Sequence, residues 1–179
     1  MRILRNDLKN DLNIRTEKNF PIEGIEFIDI TPLFLQKETF KEIINKMVEE
    51  IKKYKVDYIL APEARGFLLG SAIANELNIG CIPIRKEHKL PPTTVEKKLE
   101  YIKEYGKDYL ELPKLVNETY DNKKFYVVDD IYATGNTMKA IKKAITEMGG
   151  EVLGEGVILN IKELNNNKQL FSLIDINED

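Results

Sequence analysis

Val127-Val128-Asp129-Asp130-Ile131-Tyr132-Ala133-Thr134-Gly135-Asn136-Thr137 places two adjacent carboxylates, a run of small residues and two hydroxyl side chains close together in the chain. The apolar start reads as a buried strand that stops at Asp129 and Asp130. The turn from Ala133 through Thr134, Gly135 and Asn136 to Thr137 then opens a helix. Small residues there allow several backbone N–H groups to point inward, and the helix N-terminus adds its dipole. That combination favours a phosphate monoester. Carboxylates in the same loop would repel the phosphate unless they face other groups. Sugar hydroxyls are the natural partner, because a carboxylate accepts two hydrogen bonds from a cis-diol. Phosphate and diol together describe a ribose 5-phosphate. Taken singly, Asp129 and Asp130 also read as ordinary strand-end residues and Thr137 as an N-cap; the sugar phosphate rests on the whole pattern.

The elements that must position this segment follow from hydrophobic periodicity. Residues 38–54 carry Phe40, Ile43, Ile44, Met47, Val48, Ile51 and Tyr54 at the spacing of an amphipathic helix. VDYILAP reads as a buried strand ending at Pro62, GFLLGSAIANELN as a helix, and CIPIR (81–85) as a strand. Residues 86–106 show neither period and are rich in charge and proline, which predicts a long loop. KFYVVDD (124–130) reads as a strand and 137–150 as a helix with Ile141, Ala144, Ile145 and Met148 inward; Gly149-Gly150 suit its C-terminus. EVLGEGVILNI and FSLIDI are two further strands. Strands alternating with helices predict an α/β fold, a mainly parallel sheet with helices on both faces. Such folds bind ligands beyond the carboxyl ends of their strands.

Three other strand-following segments stand out: Glu63-Ala64-Arg65-Gly66-Phe67, Arg85-Lys86-Glu87-His88-Lys89-Leu90-Pro91, and Glu104-Tyr105-Gly106 with Tyr101 before it and Leu110-Glu111-Leu112 after it. With the acid pair and small turn, and with Phe27-Ile28-Asp29-Ile30-Thr31-Pro32-Leu33, they resemble the adenine phosphoribosyltransferase family of type I phosphoribosyltransferases. The similarity runs in order from about residue 20 to about residue 171. The acid pair and turn alone mark only the wider family, which binds phosphoribosyl pyrophosphate (PRPP). The combination with EARGF, RK-x-x-KLP and EYG is much more specific.

The resemblance implies a type I phosphoribosyltransferase-like fold in one domain over 1–179. It has a small N-terminal hood over about 1–35 and a mobile catalytic loop over 86–106. It implies transfer of the phosphoribosyl group of PRPP to adenine, giving AMP and pyrophosphate. Asp129 and Asp130 would bind the ribose hydroxyls, and Ala133, Thr134, Gly135, Asn136 and Thr137 the 5-phosphate. Many members carry a second glycine where this chain has Asn136; asparagine tolerates positive φ better than most residues. Glu63, Ala64, Arg65, Arg85, Lys86 and Lys89 would hold pyrophosphate, whose departure needs cations. Mg²⁺ supplies part of that charge, with Asp129 as an indirect ligand through PRPP or water. The Glu63–Ala64 peptide would be cis. Glu104 is the implied catalytic group for a purine-ring proton, with Arg65 also at the reacting centre. Phe27 and Ile28, with Leu159 on the opposite wall, would hold the base; the family usually has a basic residue where Ile28 stands. The Arg85–Lys89 segment would reach a neighbouring subunit, implying a homodimer. The loop is slightly longer than the resemblance implies, and its closure would exclude water from an oxocarbenium-like intermediate.

Composition sets outer bounds. Lys and Arg number 27 against 30 Asp and Glu, a net charge of −3, which argues against a broadly basic nucleic-acid surface. A single cysteine, Cys81, leaves no internal disulfide, and a single histidine, His88, leaves no histidine-rich metal site. Cys81 reads as a buried strand residue and His88 as an exposed loop residue. No segment has the length and apolarity of a spanning helix, and the N-terminus has no apolar core of a secretory signal. Cytoplasmic residence, without membrane or nucleic-acid partners, is the expectation. A xanthine- or hypoxanthine-type enzyme is the nearest alternative. A PRPP-sensing regulator fits less well, because about twenty residues before the matched region are too few for a DNA-binding domain. A phosphoreceiver domain would carry its acid pair near the start of the chain.

Overall fold

The computed structural model describes residues 14–20, 23–24, 26–103 and 106–176. The elements run β1 (Arg15–Lys18), β2 (Glu26–Asp29), α1 (Thr31–Leu35), α2 (Lys37–Ile51), β3 (Tyr58–Pro62), α3 (Gly66–Leu77) and β4 (Gly80–Lys86). After a 3₁₀ turn at Pro92–Thr94 come β5 (Val95–Lys103), β6 (Gly106–Pro113), β7 (Lys124–Tyr132), α4 (Asn136–Glu147), β8 (Glu151–Ile161) and β9 (Phe171–Ile176). Seven strands form one sheet in the order β5-β6-β4-β3-β7-β8-β9. β4, β3, β7, β8 and β9 are parallel neighbours, and β6 joins β4 antiparallel. β1 and β2 pair antiparallel in a separate ribbon, with Phe27 opposite Glu17. Most of the hood expected over 1–35 that precedes this ribbon, residues 1–13, lies outside the described residues.

Each face of the sheet is closed by its own apolar layer. On one face Ile43, Met47 and Ile51 of α2 and Leu69 and Ile73 of α3 pack on Ile59, Tyr126, Val128 and Ile158. On the other, Met138, Ile141 and Ile145 of α4 pack on Leu60, Ile82, Val127 and Val157. The alternation along β7, with Phe125 and Val127 on one side and Tyr126 and Val128 on the other, is what a strand buried on both faces requires. α2, α3, α4 and the parallel strands therefore form as the periodicity predicts, with ends shifted by a few residues at most, while the short α1 was not expected.

The long loop expected over 86–106 is overturned. Only residues 87–91 and the short 3₁₀ turn precede a β-hairpin, in which β5 pairs with β6 from Val95↔Pro113 to Lys103↔Gly106. Leu99 and Tyr101 of β5 and Leu110 and Leu112 of β6 are buried and belong to the second core. The alternation was present in VEKKLEYIK, but the outward positions hold Glu96, Lys98, Glu100 and the apolar Ile102, and Lys97 takes one inward position, so the period does not show in average polarity.

A measurement separates a docked hairpin from a loose loop. Leu99 is 4% exposed, so Leu99→Ala should cost about 2–5 kcal/mol in urea unfolding at an unchanged slope. A loose loop would give a change within about 0.5 kcal/mol.

Candidate active site

The chain steps from β3 to β4 on one side and returns to β7 on the other, so the sheet order reverses between β3 and β7. In an open parallel sheet the crevice beyond the strand ends at such a reversal is where ligands bind. Here EARGF follows β3, and the acid pair lies in β7 just beyond the part that pairs with β3, where β7 still pairs with β8. Both motifs singled out from the sequence thus meet at one place.

They are joined by an ion pair. The Arg65 Nε donates to Asp130 Oδ2, and Asp130 is 7% exposed. Asp129 is half-buried, and its Oδ1 accepts the Asp130 N–H at 2.9 Å. Crowding by surrounding protein, and next the neighbouring charge of Asp130, push the Asp129 carboxyl well above the usual carboxylate range. Gly66 permits the close approach. A Cβ at Gly66 would lie 3.0 Å from Asp129 Oδ1, 3.2 Å from Pro62 and 3.3 Å from the Val128 carbonyl. The first residue of α3 therefore has to be small for the acid pair to sit against the helix start.

The second tier of charges is organised by Glu63. Its Oε2 accepts from Arg85 Nε at 3.0 Å and from the Lys86 N–H at 2.9 Å. Arg85 also lies over the Phe67 ring at 5.8 Å from the centroid. Burial would raise the Glu63 carboxyl; the Lys86 N–H and then the Arg85 guanidinium outweigh it, and the carboxyl is held below its ordinary value. Glu63 thus acts on the basic segment through its carboxylate, orienting Arg85. The side chains of Lys86 and Lys89 are exposed. The Glu63–Ala64 peptide is cis.

Three positioning residues were not singled out for these roles by sequence. Glu111, 6% exposed, accepts the His88 N–H at 3.2 Å and the Leu90 N–H at 3.4 Å, so a buried carboxylate from β6 shapes the basic turn. Asn165 donates from Nδ2 to the Ala133 carbonyl at 2.8 Å and to Ile161 O at 2.9 Å. Asn167 donates to the Tyr132 hydroxyl at 3.1 Å. The Asn165–Asn167 run therefore ties down Ala133 at the start of the turn and Tyr132 just before it. No signal in an asparagine repeat announces that role.

Within the turn, Gly135 has φ +76°, and a Cβ there would fall 2.1 Å from the Tyr132 hydroxyl. Asn136 begins α4, and Thr134 and Thr137 are half-buried. On the hood ribbon, Phe27 packs edge-on against Phe20 at 5.2 Å, while Ile28 packs against the first core. Asp29 accepts the Thr31 N–H at 2.9 Å, and the Thr31 hydroxyl, its backbone N–H and the charge of Arg65 all lower the Asp29 carboxyl. Leu159 is fully buried in the first core, so its side chain does not line the crevice as expected of a base-holding wall. Glu104 lies outside the described residues.

Among the described residues no three metal-ligating side chains gather. Two carboxylates at a strand end suit a hard divalent ion that keeps waters and takes its other ligands from substrate phosphates, as Mg²⁺ does. Among the same residues no helix is long and apolar enough to cross a membrane.

The phosphoribosyl transferase domain family matches residues 33–172. Adenine phosphoribosyltransferase from Brachyspira hyodysenteriae is 42% identical over 157 residues, 88% of this chain and 90% of that protein. The enzyme of the same name from Thermosipho africanus is 42% identical over 152 residues, 85% of this chain and 87% of that one. Among solved structures, adenine phosphoribosyltransferase from Thermoanaerobacter pseudethanolicus superposes with a TM-score of 0.83 at 34% identity, over 93% of this chain and 99% of that one. The Saccharomyces cerevisiae enzyme, solved with adenine and an imino-altritol bisphosphate, gives 0.78 at 32% identity, over 94% and 99%.

The Glu63 contacts give a pH test. A carboxyl lowered by folding contributes stability above its unfolded pKa and loses it as pH falls through the folded value. The urea midpoint should therefore fall as pH drops from about 5 to about 3, and Glu63→Gln should flatten part of that fall. Parallel curves for the two proteins would remove Glu63 from the acid limb.

Proposed function

Because the chain belongs to the phosphoribosyltransferase family, we propose that it transfers the 5-phosphoribosyl group of PRPP to adenine, giving AMP and pyrophosphate in purine salvage. The observation that carries this reading is the meeting of Arg65 with Asp130 at the crevice between β3 and β7. It sets a cation for pyrophosphate against a carboxylate for the ribose. The named relatives support adenine as the base.

In this reading the Ala133–Thr137 turn takes the 5-phosphate through main-chain N–H groups and the hydroxyls of Thr134 and Thr137. Asp129 and Asp130 accept the ribose hydroxyls. Arg65 exchanges Asp130 for pyrophosphate as substrate enters, so that Asp130 is released to the diol at the same time. Arg85, held by Glu63, and the exposed Lys86 and Lys89 complete the cationic side, with the Glu63–Ala64 backbone beside them. Asp129 would hold Mg²⁺ indirectly, through PRPP or water, and the ion would supply positive charge for the departing pyrophosphate. The C1–O bond breaks with its electron pair leaving on pyrophosphate. A purine nitrogen forms the new C1–N bond and gives its proton to Glu104. The positive charge that builds on the ribose faces the carboxylates of the acid pair.

Phe27 offers a ring to the base. Ile28 contributes its backbone only, because its side chain packs against the first core. Leu159 backs the crevice from within the sheet. A homodimer, in which the Arg85–Lys89 segment of one copy reaches the other, and a cytoplasmic location belong to the same proposal.

Competitive assay tests it. With PRPP and Mg²⁺ saturating, kcat/KM for adenine should exceed that for hypoxanthine, guanine or xanthine by about 10⁴-fold, because a backbone acceptor built for a 6-amino group is left unpaired by a 6-oxo group. A 6-oxopurine that equals adenine would refute the base assignment. Asp130→Asn should raise the PRPP requirement about 10–150-fold, the cost of a lost charged hydrogen bond. Unchanged PRPP kinetics in that variant would refute the ribose assignment.

A further inference from the structure

β5 is the outer strand of the sheet, so backbone groups on its free side have no ladder partner. One of them is taken by a side chain of the phosphate turn. Asn136 Nδ2 donates to the Ile102 carbonyl at 2.9 Å. At the opposite end of α4, Lys97 of β5 meets Glu147 at 2.5 Å. β5 therefore lies along α4 in the opposite direction, tied at both ends. The lengths agree: from Lys97 to Ile102 a strand rises about 17 Å, and from Asn136 to Glu147 a helix rises about 17 Å. Between the ties Leu99 and Tyr101 share a core with Met138 and Ile141.

The two ties differ in kind. Glu147 is remote from the crevice at the C-terminal end of α4. Asn136 stands inside the turn assigned to the 5-phosphate, next to Gly135, whose φ is +76° and where a Cβ would meet the Tyr132 hydroxyl. Its main chain belongs to the phosphate cradle and its side chain to the hairpin. Two residues beyond Ile102 in the chain is Glu104.

We propose that Asn136 is a positioning residue that latches the catalytic hairpin to the 5-phosphate turn, so that a phosphate monoester in the turn tightens the distal end of β5. The inference rests on the functional reading of that turn. A phosphate that fixes the Asn136 backbone narrows the positions open to its amide, and the Ile102 carbonyl gains a steadier donor. By linkage, a docked hairpin raises phosphate affinity by the same factor. A glycine at 136 would cradle the phosphate equally well and leave the hairpin without this contact.

Hydrogen exchange on the full chain, with and without saturating ribose 5-phosphate, tests the latch, with calorimetry measuring binding separately. In the wild type, protection of residues 95–103 should rise about fivefold with ligand, the worth of one ordinary hydrogen bond. In Asn136→Ala and in Asn136→Gly, each at a ribose 5-phosphate concentration that calorimetry shows to saturate that variant, the gain over 95–103 should disappear. Lys97→Ala should speed exchange of 95–103 in both states and keep the ligand-dependent gain. The latch is overturned if either Asn136 variant retains the wild-type gain, or if Lys97→Ala abolishes it. Loss of all ribose 5-phosphate binding in both Asn136 variants would also overturn it, since the side chain would then serve the phosphate itself. Failure of the wild type to bind would remove the functional reading of the turn, and the latch with it.

Discussion

Arg65 and Asp130 meet across the crevice between β3 and β7, and the arrangement of the rest of the site depends on that ion pair. A phosphoribosyl donor presents opposite demands within a few bond lengths. Its pyrophosphate needs cations and its ribose needs acceptors. Placing one of each in contact keeps both charged groups compensated, and in the proposed function substrate then replaces the partner of each. The parallel sheet makes the meeting possible, because the ends of neighbouring strands lie side by side. Gly66 makes it close, because any side chain there would press on Asp129.

Carboxylates also arrange the remaining cations. Glu63 fixes Arg85 and the Lys86 main chain, and Glu111 fixes the main chain at His88 and Leu90. The basic turn is therefore built on buried or half-buried acids that leave the lysine side chains exposed. This is a general solution for an anion site: acids hold the backbone and the stem of the arginine, and the free N–H groups remain for the ligand. The braces from Asn165 and Asn167 do the same for the phosphate turn without adding charge.

Much of this was legible in the sequence, and the reasons are local. β7 and its turn carry an apolar run, an acid pair and a glycine whose positive φ is required, all within one segment. α2, α3 and α4 declare themselves by spacing. The hairpin did not, because Leu99 and Tyr101 alternate with charged residues that face solvent, and because β6 is recognisable only once β4 is there to pair with it. The burial of Leu159 in the first core was not legible for a related reason. A residue at the carboxyl end of a central strand points either to the crevice or to the core, and the sequence does not say which. The ties of Glu111, Asn165 and Asn136 join residues far apart in the chain, and no spacing rule reports such contacts.

The exchange of partners at Arg65 and Asp130 is the central claim, and a crystal structure of the chain with PRPP, Mg²⁺ and a non-reactive purine analogue reads it directly. The account predicts a broken Arg65–Asp130 contact, the guanidinium on pyrophosphate oxygens and the Asp130 carboxylate on the ribose hydroxyls. An intact ion pair beside bound PRPP, with the ribose held elsewhere, would contradict it.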